Sequence, residues 1–537
     1  MKDKGNITGP ASIIGLLTLL SRILGYMRDA VIAYIFGAGM HADSFFVAFR
    51  VSNLLRRLVG EGALTSSFIP IFTGELRSRT RAEARELVSR VFTLFFVILV
   101  ILALLGVLFS DTLVWLMAPG FAEVPGKFEL TVTLTRLMFP YMVFIGLMAI
   151  AMGVLNSMKH FTAPALSPVM FNISVIFSAV ALVPLLKEPV YALAAGVLVG
   201  GALQFFMQLP YLRKYGMAPR LVMSPAGLSD PAIKKIFLLM GPALLGVGVY
   251  QLNIFVTMRF ASGLGEGSIS YLFYASRLME LPLGVFGVAI ATAVLPSLSE
   301  YVEKQDFTSF RDSLSFSLRM MNFVMIPATF GLFILSLPII EVLFMRGEFG
   351  GEASAGTAFA LYFYALGLVP VASSRILVSV FYSLKDTATP VRVALVCFLF
   401  NIVMCFLLIG PLKHGGLALA TSLAAALNLG LLVVILKRRF GNLGGMAVLT
   451  SAIRNTIASA VMGGLILAVI VTLDWQTLGT ALKAVVLFGC VGAGIVIYVV
   501  ISMAFKSPEV SFLKGIIEEK VGKKGEKKVS NDKSPEP

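Results

Sequence analysis

Residues 14–39 read IGLLTLLSRILGYMRDAVIAYIFGAG, and residues 43–70 read DSFFVAFRVSNLLRRLVGEGALTSSFIP. Each stretch is long and apolar enough for a transmembrane helix, which needs about 20 mainly apolar residues. Polarity does not alternate along them, as it would in the strands of a membrane β-barrel. The two stretches therefore predict a pair of membrane-spanning helices that carry charged residues inside the bilayer.

The whole chain has the composition of an integral membrane protein. Its 537 residues are 58% hydrophobic and 14% charged, with a net charge of +15, and the mean hydropathy is +0.90. Soluble domains are roughly 45–50% apolar and about 25% charged, so this chain cannot cover itself with polar surface in water. Cys397, Cys405 and Cys490 lie within apolar runs, which excludes a disulfide scaffold.

Apolar runs along the chain predict an all-α polytopic membrane protein with about fourteen transmembrane helices. The first run continues into a full span without a small-residue cleavage site, so we expect no cleavable signal peptide. The predicted spans are 12–36, 44–70, 91–117, 132–155, 164–186, 190–212, 237–262, 269–297, 315–345, 357–381, 390–411, 415–436, 450–473 and 482–504.

Lysine and arginine residues are distributed unequally between the two sides of these spans. With a cytoplasmic N-terminus, 30 of them fall on the cytoplasmic side and 6 on the other. Because positive residues mark cytoplasmic loops, both termini are predicted to be cytoplasmic. The basic tail is expected to be disordered toward its end and to contact anionic lipid, and we expect no nucleic-acid partner.

The sequence contains an internal repeat with an offset of 226 residues. NSMKHFTAP around Lys159 matches YSLKDTATP around Lys385, and the same offset joins Ser44 to Ser270. Since six helices are an even number, the repeat predicts two parallel six-helix lobes followed by two C-terminal helices. The predicted domains are an N-lobe at 1–230, a C-lobe at 231–440, the last two helices at 441–505 and a basic tail at 506–537.

Arginines inside the first two predicted spans are the main functional signal. An arginine at the bilayer centre costs about 2.5 to 3.5 kcal/mol, so these side chains are expected to face a wet cavity or to be paired. Nearby acids can neutralise only part of the charge, which favours an anion site, and the paired N–H donors of arginine suit phosphate. The arginines are Arg22, Arg28, Arg50, Arg56 and Arg57, and the acids are Asp29, Asp43 and Glu61.

Some of the charged residues have a simpler structural interpretation. Arg57 and Glu61 lie four residues apart, and Arg277 and Glu280 lie three apart, so each pair shares a helix face. Arg57 with Glu61 is equally consistent with a structural ion pair, and Arg259 is consistent with a side chain that snorkels to the outer interface.

Motifs of enzyme chemistry are not found in the sequence. It has no Walker-type nucleotide loop and no HExxH zinc motif, and His41, His160 and His414 fall at separate membrane edges. We therefore expect a transporter without a catalytic site, metal or cofactor. Its driving force would be an ion gradient, the membrane potential or the gradient of the substrate.

Several motifs closely resemble the MurJ (MviN) family of lipid II flippases, in the multidrug/oligosaccharidyl-lipid/polysaccharide (MOP) exporter superfamily. They are residues 21–72, which include SRILGYMRDAVIAYIFGAG, and YASRLMELPLGVFGVAIATAVLPSLS, FYSLKDTATPV and GPLKHGGLALA farther along. The resemblance implies two six-helix lobes with two additional helices. It also implies transport of the undecaprenyl-diphosphate-linked disaccharide pentapeptide, lipid II, from the inner to the outer leaflet of the bacterial cytoplasmic (inner) membrane.

The resemblance also implies roles for individual residues. The substrate-binding residues would be Arg22, Arg28, Arg56 and Arg277, and the cavity or gating residues Asp29, Asp43, Asn53, Arg57, Glu61 and Glu280. Family members have a lipid-facing groove by the last two helices, and the small residues there fit a groove or ordinary tight packing equally. Some relatives are reported to bind sodium in the C-terminal lobe, but this sequence shows no acidic ligand set for it.

We expect alternating access, in which the two lobes rock around a cationic cavity that binds the diphosphate. Asp43 and Glu280 are expected to pair with the arginines across helices when the cavity is empty. A flippase for another undecaprenyl-diphosphate-linked oligosaccharide stays open as an alternative, and a MATE-like antiporter is disfavoured by the arginines. The predicted partners are lipid II and membrane lipids, and cell-wall synthesis proteins are a further candidate class.

Overall fold

The computed structural model describes residues 8–55, 65–222 and 230–512, together with 514–515 and 518. Within these residues the regular secondary structure is helical, without β-strands. The first ten helices are α1 (Thr8–Phe36), α2 (Met40–Leu55), α3 (Thr65–Ser78), α4 (Arg81–Leu108), α5 (Ser110–Met117), α6 (Lys127–Met138), α7 (Tyr141–Ser157), α8 (Thr162–Leu182), α9 (Tyr191–Phe206) and α10 (Leu209–Lys214). The next ten are α11 (Pro231–Ser262), α12 (Ser268–Pro282), α13 (Val288–Glu303), α14 (Phe307–Ile334), α15 (Ser336–Phe344), α16 (Gly351–Leu366), α17 (Leu368–Ser383), α18 (Ala388–Phe440), α19 (Gly445–Thr472) and α20 (Thr480–Ala504).

Several predicted spans consist of two helices that follow each other closely. α12 and α13 are joined by one turn of π-helix, Leu283–Gly287, directly after Pro282. Proline has no N–H to donate, which interrupts the regular ladder of helix hydrogen bonds. The two spans predicted at 390–411 and 415–436 both lie in α18, which consists of two helical segments that meet at Lys413, a residue with non-helical φ of 48° and ψ of −130°.

The internal repeat is visible in the helix bounds. An offset of 226 residues carries the bounds of α4 onto those of α14, and it carries the first residue of α8 onto that of α18. Lys159 and Lys385 also share a left-handed backbone conformation, with φ of 60° and 59°. The two halves of the sequence therefore fold into corresponding helices.

Many of the helices can cross a membrane. Among the described residues, nine helical segments are long and apolar enough to do so, or ten if α16 and α17, which meet at a 43° bend, form one span. The protein is therefore an all-α polytopic membrane protein. The number of fourteen spans remains a prediction.

The chain divides into two compact units. The first contains the residues up to Tyr274 together with Phe344–Gly356, and the second contains Ala275–Leu343 and the residues from Thr357 onward. In the first unit α8 packs against α1 and α9, and α2 packs against α6. In the second unit α14 packs against α19. The proposed boundaries of the lobes and of the last two helices remain predictions.

The second unit continues past the end of α20. Val510 belongs to a buried apolar cluster with Phe323, Met462 and Tyr498. Glu509 is 1% exposed, and its carboxylate accepts hydrogen bonds from Ser451 and Ser507. The first residues of the predicted tail are therefore part of the folded unit.

Candidate functional site

Arg28 lies on α1 and is buried, with 8% of its surface exposed. Its Nη2 and Nε donate to Oδ1 of Asp29 at 2.6 and 2.9 Å. Its Nη1 donates to Oδ1 of Asn172 on α8 at 3.1 Å, and Nδ2 of Asn172 donates to the backbone oxygen of Ser21 at 3.0 Å. One buried arginine is thus held by a neighbouring carboxylate and by an amide that itself bonds back to α1.

Arg28 and Asp29 line a small cleft in the first unit. The rest of its lining is apolar and includes Phe46, Phe49 and Phe171. The guanidinium carbon of Arg28 lies 5.9 Å from the centre of the Phe171 ring. Because the apolar walls lower the local dielectric, the Arg28–Asp29 pair interacts with charge in this cleft more strongly than it would in water.

Asp43 lies near the start of α2 and is the centre of a second buried network. Its Oδ2 accepts from Nζ of Lys127 at 2.8 Å and from the backbone N–H of Gly267 at 2.9 Å. Its Oδ1 accepts from the backbone N–H and the hydroxyl of Ser270 at 2.9 and 2.7 Å. The carboxylate of α2 therefore caps the N-terminus of α12, where unpaired N–H groups and the helix dipole favour negative charge.

The N-terminus of α2 is capped in return. Oε1 of Glu266, in the turn before α12, accepts from the backbone N–H of Met40 at 2.5 Å. The same end of the first unit is closed by the turn after α15, where the N–H of Glu348 donates to the backbone oxygen of Tyr34 at 2.9 Å. We call the Asp43, Lys127, Gly267, Ser270 and Glu266 network the capping lock.

A group of aromatic rings packs beside the capping lock. Phe46 stacks on Phe273 with 3.8 Å between ring centroids, and Tyr274 meets Phe46 and Phe349 edge to face. The hydroxyl of Tyr274 donates to the backbone oxygen of Gly37 at 3.3 Å. This end of the first unit is therefore sealed by both polar caps and apolar packing.

Arg277 and Glu280 belong to the second unit. Nη1 of Arg277 lies 3.2 Å from Oε2 of Glu280, three residues along α12. The pair is partly exposed, with 29% of the arginine and 49% of the glutamate side chain accessible. It lies one to two turns before the π-helical turn at Leu283–Gly287.

Only some of the remaining predicted site residues lie in the described part of the chain. Arg22 and Arg50 are partly buried and Asn53 is buried. Arg56, Arg57 and Glu61 lie outside the described residues, so their predicted roles stay predictions. In the part of the chain that the structure describes, no group of three or more His, Cys, Asp or Glu residues could hold a metal ion.

The expectation that Asp43 and Glu280 pair with arginines across helices differs from the structure. Asp43 pairs with Lys127 on α6 and accepts hydrogen bonds from the N-terminus of α12. The backbone N–H donors of that helix end are not visible in any sequence pattern. Glu280 pairs with Arg277 on its own helix, as the spacing of three residues favours. Arg259 is exposed, donates to the backbone oxygen of Leu116 and stacks on Trp115, in keeping with a snorkelling side chain.

Sequence reasoning missed Lys127, Asn172 and Glu266 as site residues. Lys127 carried a weak signal, since it is one of six positive residues on the predicted outer side and directly follows Gly126. Asn172 is a polar residue within an apolar span. Glu266 corresponds to Met40, its hydrogen-bond partner, at the repeat offset of 226, but correspondence in a repeat does not by itself predict contact.

Two carboxylates outside the spans are also tied to neighbouring helices. Burial opposes ionisation of Asp230, but hydrogen bonds from Arg79 and from the Ala232 N–H leave its pKa below the ordinary value. Burial likewise opposes ionisation of Asp386, yet hydrogen bonds from Thr389 and Arg439 lower its pKa to about 2. These acids fix the starts of α11 and α18.

A helical multi-pass fold with two repeated halves and buried charged groups defines a class of protein, the membrane transporters. The family follows from a model described as lipid II flippase MurJ, which matches residues 32–500. The chain belongs to this MurJ family.

Similar proteins and structures cover nearly the whole chain. A probable lipid II flippase MurJ of Vibrio cholerae serotype O1 is 38% identical over 502 residues, covering 91% of this chain and 94% of that protein. A lipid II flippase MurJ of Burkholderia cenocepacia is 37% identical, covering 85% and 89%. A solved lipid II flippase MurJ in an inward closed conformation has a TM-score of 0.75 at 27% identity and covers 92% and 98%.

The fold is shared more widely. An inward-facing MATE family transporter of the MOP superfamily has a TM-score of 0.67, with 81% of this chain and 99% of that chain covered. Its identity is 14%, so this likeness concerns the fold alone.

Proposed function

We propose that the protein moves lipid II from the cytoplasmic to the outer leaflet of the bacterial inner membrane. The buried Arg28 carries this proposal, because it lies at an apolar cleft in a chain whose family consists of lipid II flippases. Lipid II presents a diphosphate, and the planar guanidinium of arginine binds phosphate oxygens through paired N–H donors.

Asp29 and Asn172 prepare Arg28 for an anion. Asp29 offsets the cost of burying the guanidinium, and Asn172 fixes the direction of Nη1. A diphosphate would compete with these two partners for the same donors, so binding exchanges one set of hydrogen bonds for another. Arg22, Arg56 and Arg277 are proposed to complete the cationic cavity.

Transport is proposed to proceed by alternating access between the lobes at 1–230 and 231–440. The capping lock, which closes one end of the first unit, is proposed to face the outer side and to open when substrate leaves. The lipid tail would stay in the membrane beside the helices at 441–505. The membrane potential could return cationic cavity charge inward, with about 2.3 kcal/mol per charge per 100 mV.

Complementation tests this proposal directly. In cells depleted of their own lipid II flippase, we expect Arg28→Ala and Arg277→Ala to abolish growth and outer-leaflet lipid II, measured by its accessibility to an external probe. Arg259→Ala is the matched control, since that arginine is exposed and bonds a backbone oxygen, and it should support growth. Full flipping by the Arg28→Ala and Arg277→Ala variants would refute the anion cavity.

A flippase for another undecaprenyl-diphosphate-linked oligosaccharide uses the same diphosphate chemistry. Family membership favours lipid II, and the two substrates are distinguished by measuring each in the outer leaflet of the same depleted cells. If O-antigen units but not lipid II accumulated in the outer leaflet, the substrate would be the other lipid-linked oligosaccharide and not lipid II.

A further inference from the structure

Lys127 is the most completely buried lysine among the described residues that contact a carboxylate. Its side chain is 4% exposed and that of Asp43 is 2% exposed, with 2.8 Å between Nζ and Oδ2. Nζ also lies 4.3 Å from the centre of the Phe121 ring. Burying one charge costs several kcal/mol unless an opposite charge is close, so each group needs the other in this position.

The contacts of Asp43 fall into two sets. Lys127 lies on α6, in the same half of the repeat as α2, and Gly267 and Ser270 lie in the other half. At an offset of 226 residues, Asp43 and Lys127 correspond to Ile269 and Ala353. The charge pair at Asp43 therefore comes from one half alone, and the other half gives Asp43 neutral N–H and hydroxyl donors.

We propose that Lys127 is a positioning residue for the transport cycle. It offsets the charge of Asp43 and keeps the carboxylate aimed at the N-terminus of α12, so that the lock re-forms each time the outer end closes. When α12 leaves, its N–H and hydroxyl bonds to Asp43 break, and the Lys127–Asp43 pair stays together and avoids an uncompensated buried carboxylate. This inference rests on the proposed function, because it assigns a role to a contact within that cycle.

Accessibility of a buried thiol measures whether the outer end is closed. Ser44 follows Asp43, is 0% exposed, and its hydroxyl has no hydrogen-bond partner among the described atoms. Ser44→Cys is placed in a background in which Cys397, Cys405 and Cys490 are replaced by alanine. A membrane-impermeant maleimide is then added to spheroplasts, and the labelling rate reports outer opening.

We expect Lys127→Met to raise the labelling rate about tenfold, which corresponds to about 1.4 kcal/mol in the closing equilibrium. Lys127→Arg should stay near the native rate, because it keeps the charge. If Lys127 acts through Asp43, the double variant with Asp43→Asn should label no faster than Asp43→Asn alone. A role in packing alone would make the two effects add and would leave Lys127→Arg without rescue.

Lys483→Met is the matched control. Lys483 forms a similar pair with Glu341 at 2.7 Å, with side chains 13% and 6% exposed, in the second unit. Its loss should leave Ser44→Cys labelling unchanged. Melting temperatures of all variants separate local opening from general unfolding, and Lys127→Gln serves as a second neutral variant if Lys127→Met is not recovered folded.

Native labelling rates in Lys127→Met or Lys127→Gln would overturn the proposal, as would additive effects in the double variant. The labelling needs no lipid II, so it is independent of the substrate. Labelling that responds as expected in a protein that fails to flip lipid II would leave the lock in place and refute the proposed substrate. Normal flipping with unresponsive labelling would refute the role of Lys127 alone.

Discussion

Asn172 is the residue that connects Arg28 to the rest of the first unit. Asp29 is the next residue in the chain, so its contact with Arg28 is local to α1. Asn172 reaches from α8, accepts from Arg28 and donates to Ser21. Since a buried amide with both ends bonded has one orientation, it sets the direction of the guanidinium.

We expect Asn172→Leu to lower transport about tenfold at equal protein abundance, because a hydrogen bond to a charged group is worth about 1.5 kcal/mol. The measurement is outer-leaflet lipid II in depleted cells, normalised to the amount of variant in the membrane. Asn322→Leu is the control, since Asn322 is also buried and its Oδ1 has no partner among the described atoms. Equal transport by the two variants would show that Asn172 does not position Arg28.

The sequence predicted which residues are charged inside the membrane but not what they contact. Arg277 and Glu280 could be read as a pair because three residues bring them to one helix face. Arg28 and Asp29 are also paired, but adjacent residues point in different directions from a helix, so spacing did not predict that contact. Asp43 and Lys127 lie 84 residues apart. Their contact depends on how α2 packs on α6, which no local spacing records.

The turn between α11 and α12 depends on the backbone freedom of Gly267. Its φ is +84°, and a Cβ there would collide with the backbone oxygen of Ala38 and with the ring of Tyr271. Glycine adopts this conformation without the strain that other residues carry. The close approach brings the N-terminus of α12 within reach of Asp43.

Gly267→Ala is therefore expected to weaken the capping lock. The strained backbone should lower the free energy of unfolding by about 1 to 3 kcal/mol and so lower the melting temperature. Gly265→Ala is the matched control in the same turn, because a Cβ at Gly265 meets no atom within 4 Å. Both can be measured by thermal unfolding in detergent and by Ser44→Cys labelling. A Gly267→Ala protein as stable and as closed as Gly265→Ala would contradict the role of the turn.

The start of α18 is held by an ionised carboxylate. Asp386 accepts from the N–H and hydroxyl of Thr389 at 3.0 and 2.7 Å and lies 2.7 Å from Nη1 of Arg439. These contacts outweigh burial and lower its pKa from 3.8 to about 2. A carboxylate whose folded-state pKa is depressed contributes stability above pH 4 and loses it as the pH falls toward 2.

Asp386→Asn is expected to melt at a lower temperature than the native protein between pH 5 and 7. The difference should shrink as the pH falls from about 4 to 2, because the native carboxyl is then protonated too. Thermal unfolding at a series of pH values measures this, with Asp312→Asn as the control at an exposed position of α14. A difference that stays constant to pH 2 would show that charge at Asp386 is not the cause.

The sequence was sufficient to predict that the apolar segments are helices and that they repeat. It was not sufficient to predict where a helix breaks. Hydropathy records how apolar a segment is, and α4 and α5 are equally apolar on both sides of Phe109, where the helix ends and a new one begins. At the offset of 226 residues, α14 and α15 begin where α4 and α5 do, so the break is repeated although it was not predicted. The direction of a chain after a break depends on packing, which composition does not describe.

At the scale of the whole molecule, charge distribution and fold lead to one further test. The 30 positive residues on one predicted side and 6 on the other predict that the end of the first unit with Asp43 lies on the outer side. His41, on α2, lies 3.9 Å from Glu188, which is exposed at the same end of the first unit. Thr308 is exposed at the start of α14, on the predicted cytoplasmic side.

Single cysteines at Glu188 and Thr308, in the cysteine-free background, test the orientation of the chain in the membrane, on which the direction of transport depends. An impermeant maleimide added to spheroplasts should label Glu188→Cys and spare Thr308→Cys, and inverted vesicles should give the opposite pattern, because loops rich in lysine and arginine are retained in the cytoplasm. Membrane permeabilised with detergent should label both, which shows that each cysteine is reactive. Labelling of Thr308→Cys in spheroplasts would show that the topology is the reverse of the predicted one. The capping lock would then lie on the cytoplasmic side, and lipid II could not enter from the cytoplasm in this conformation.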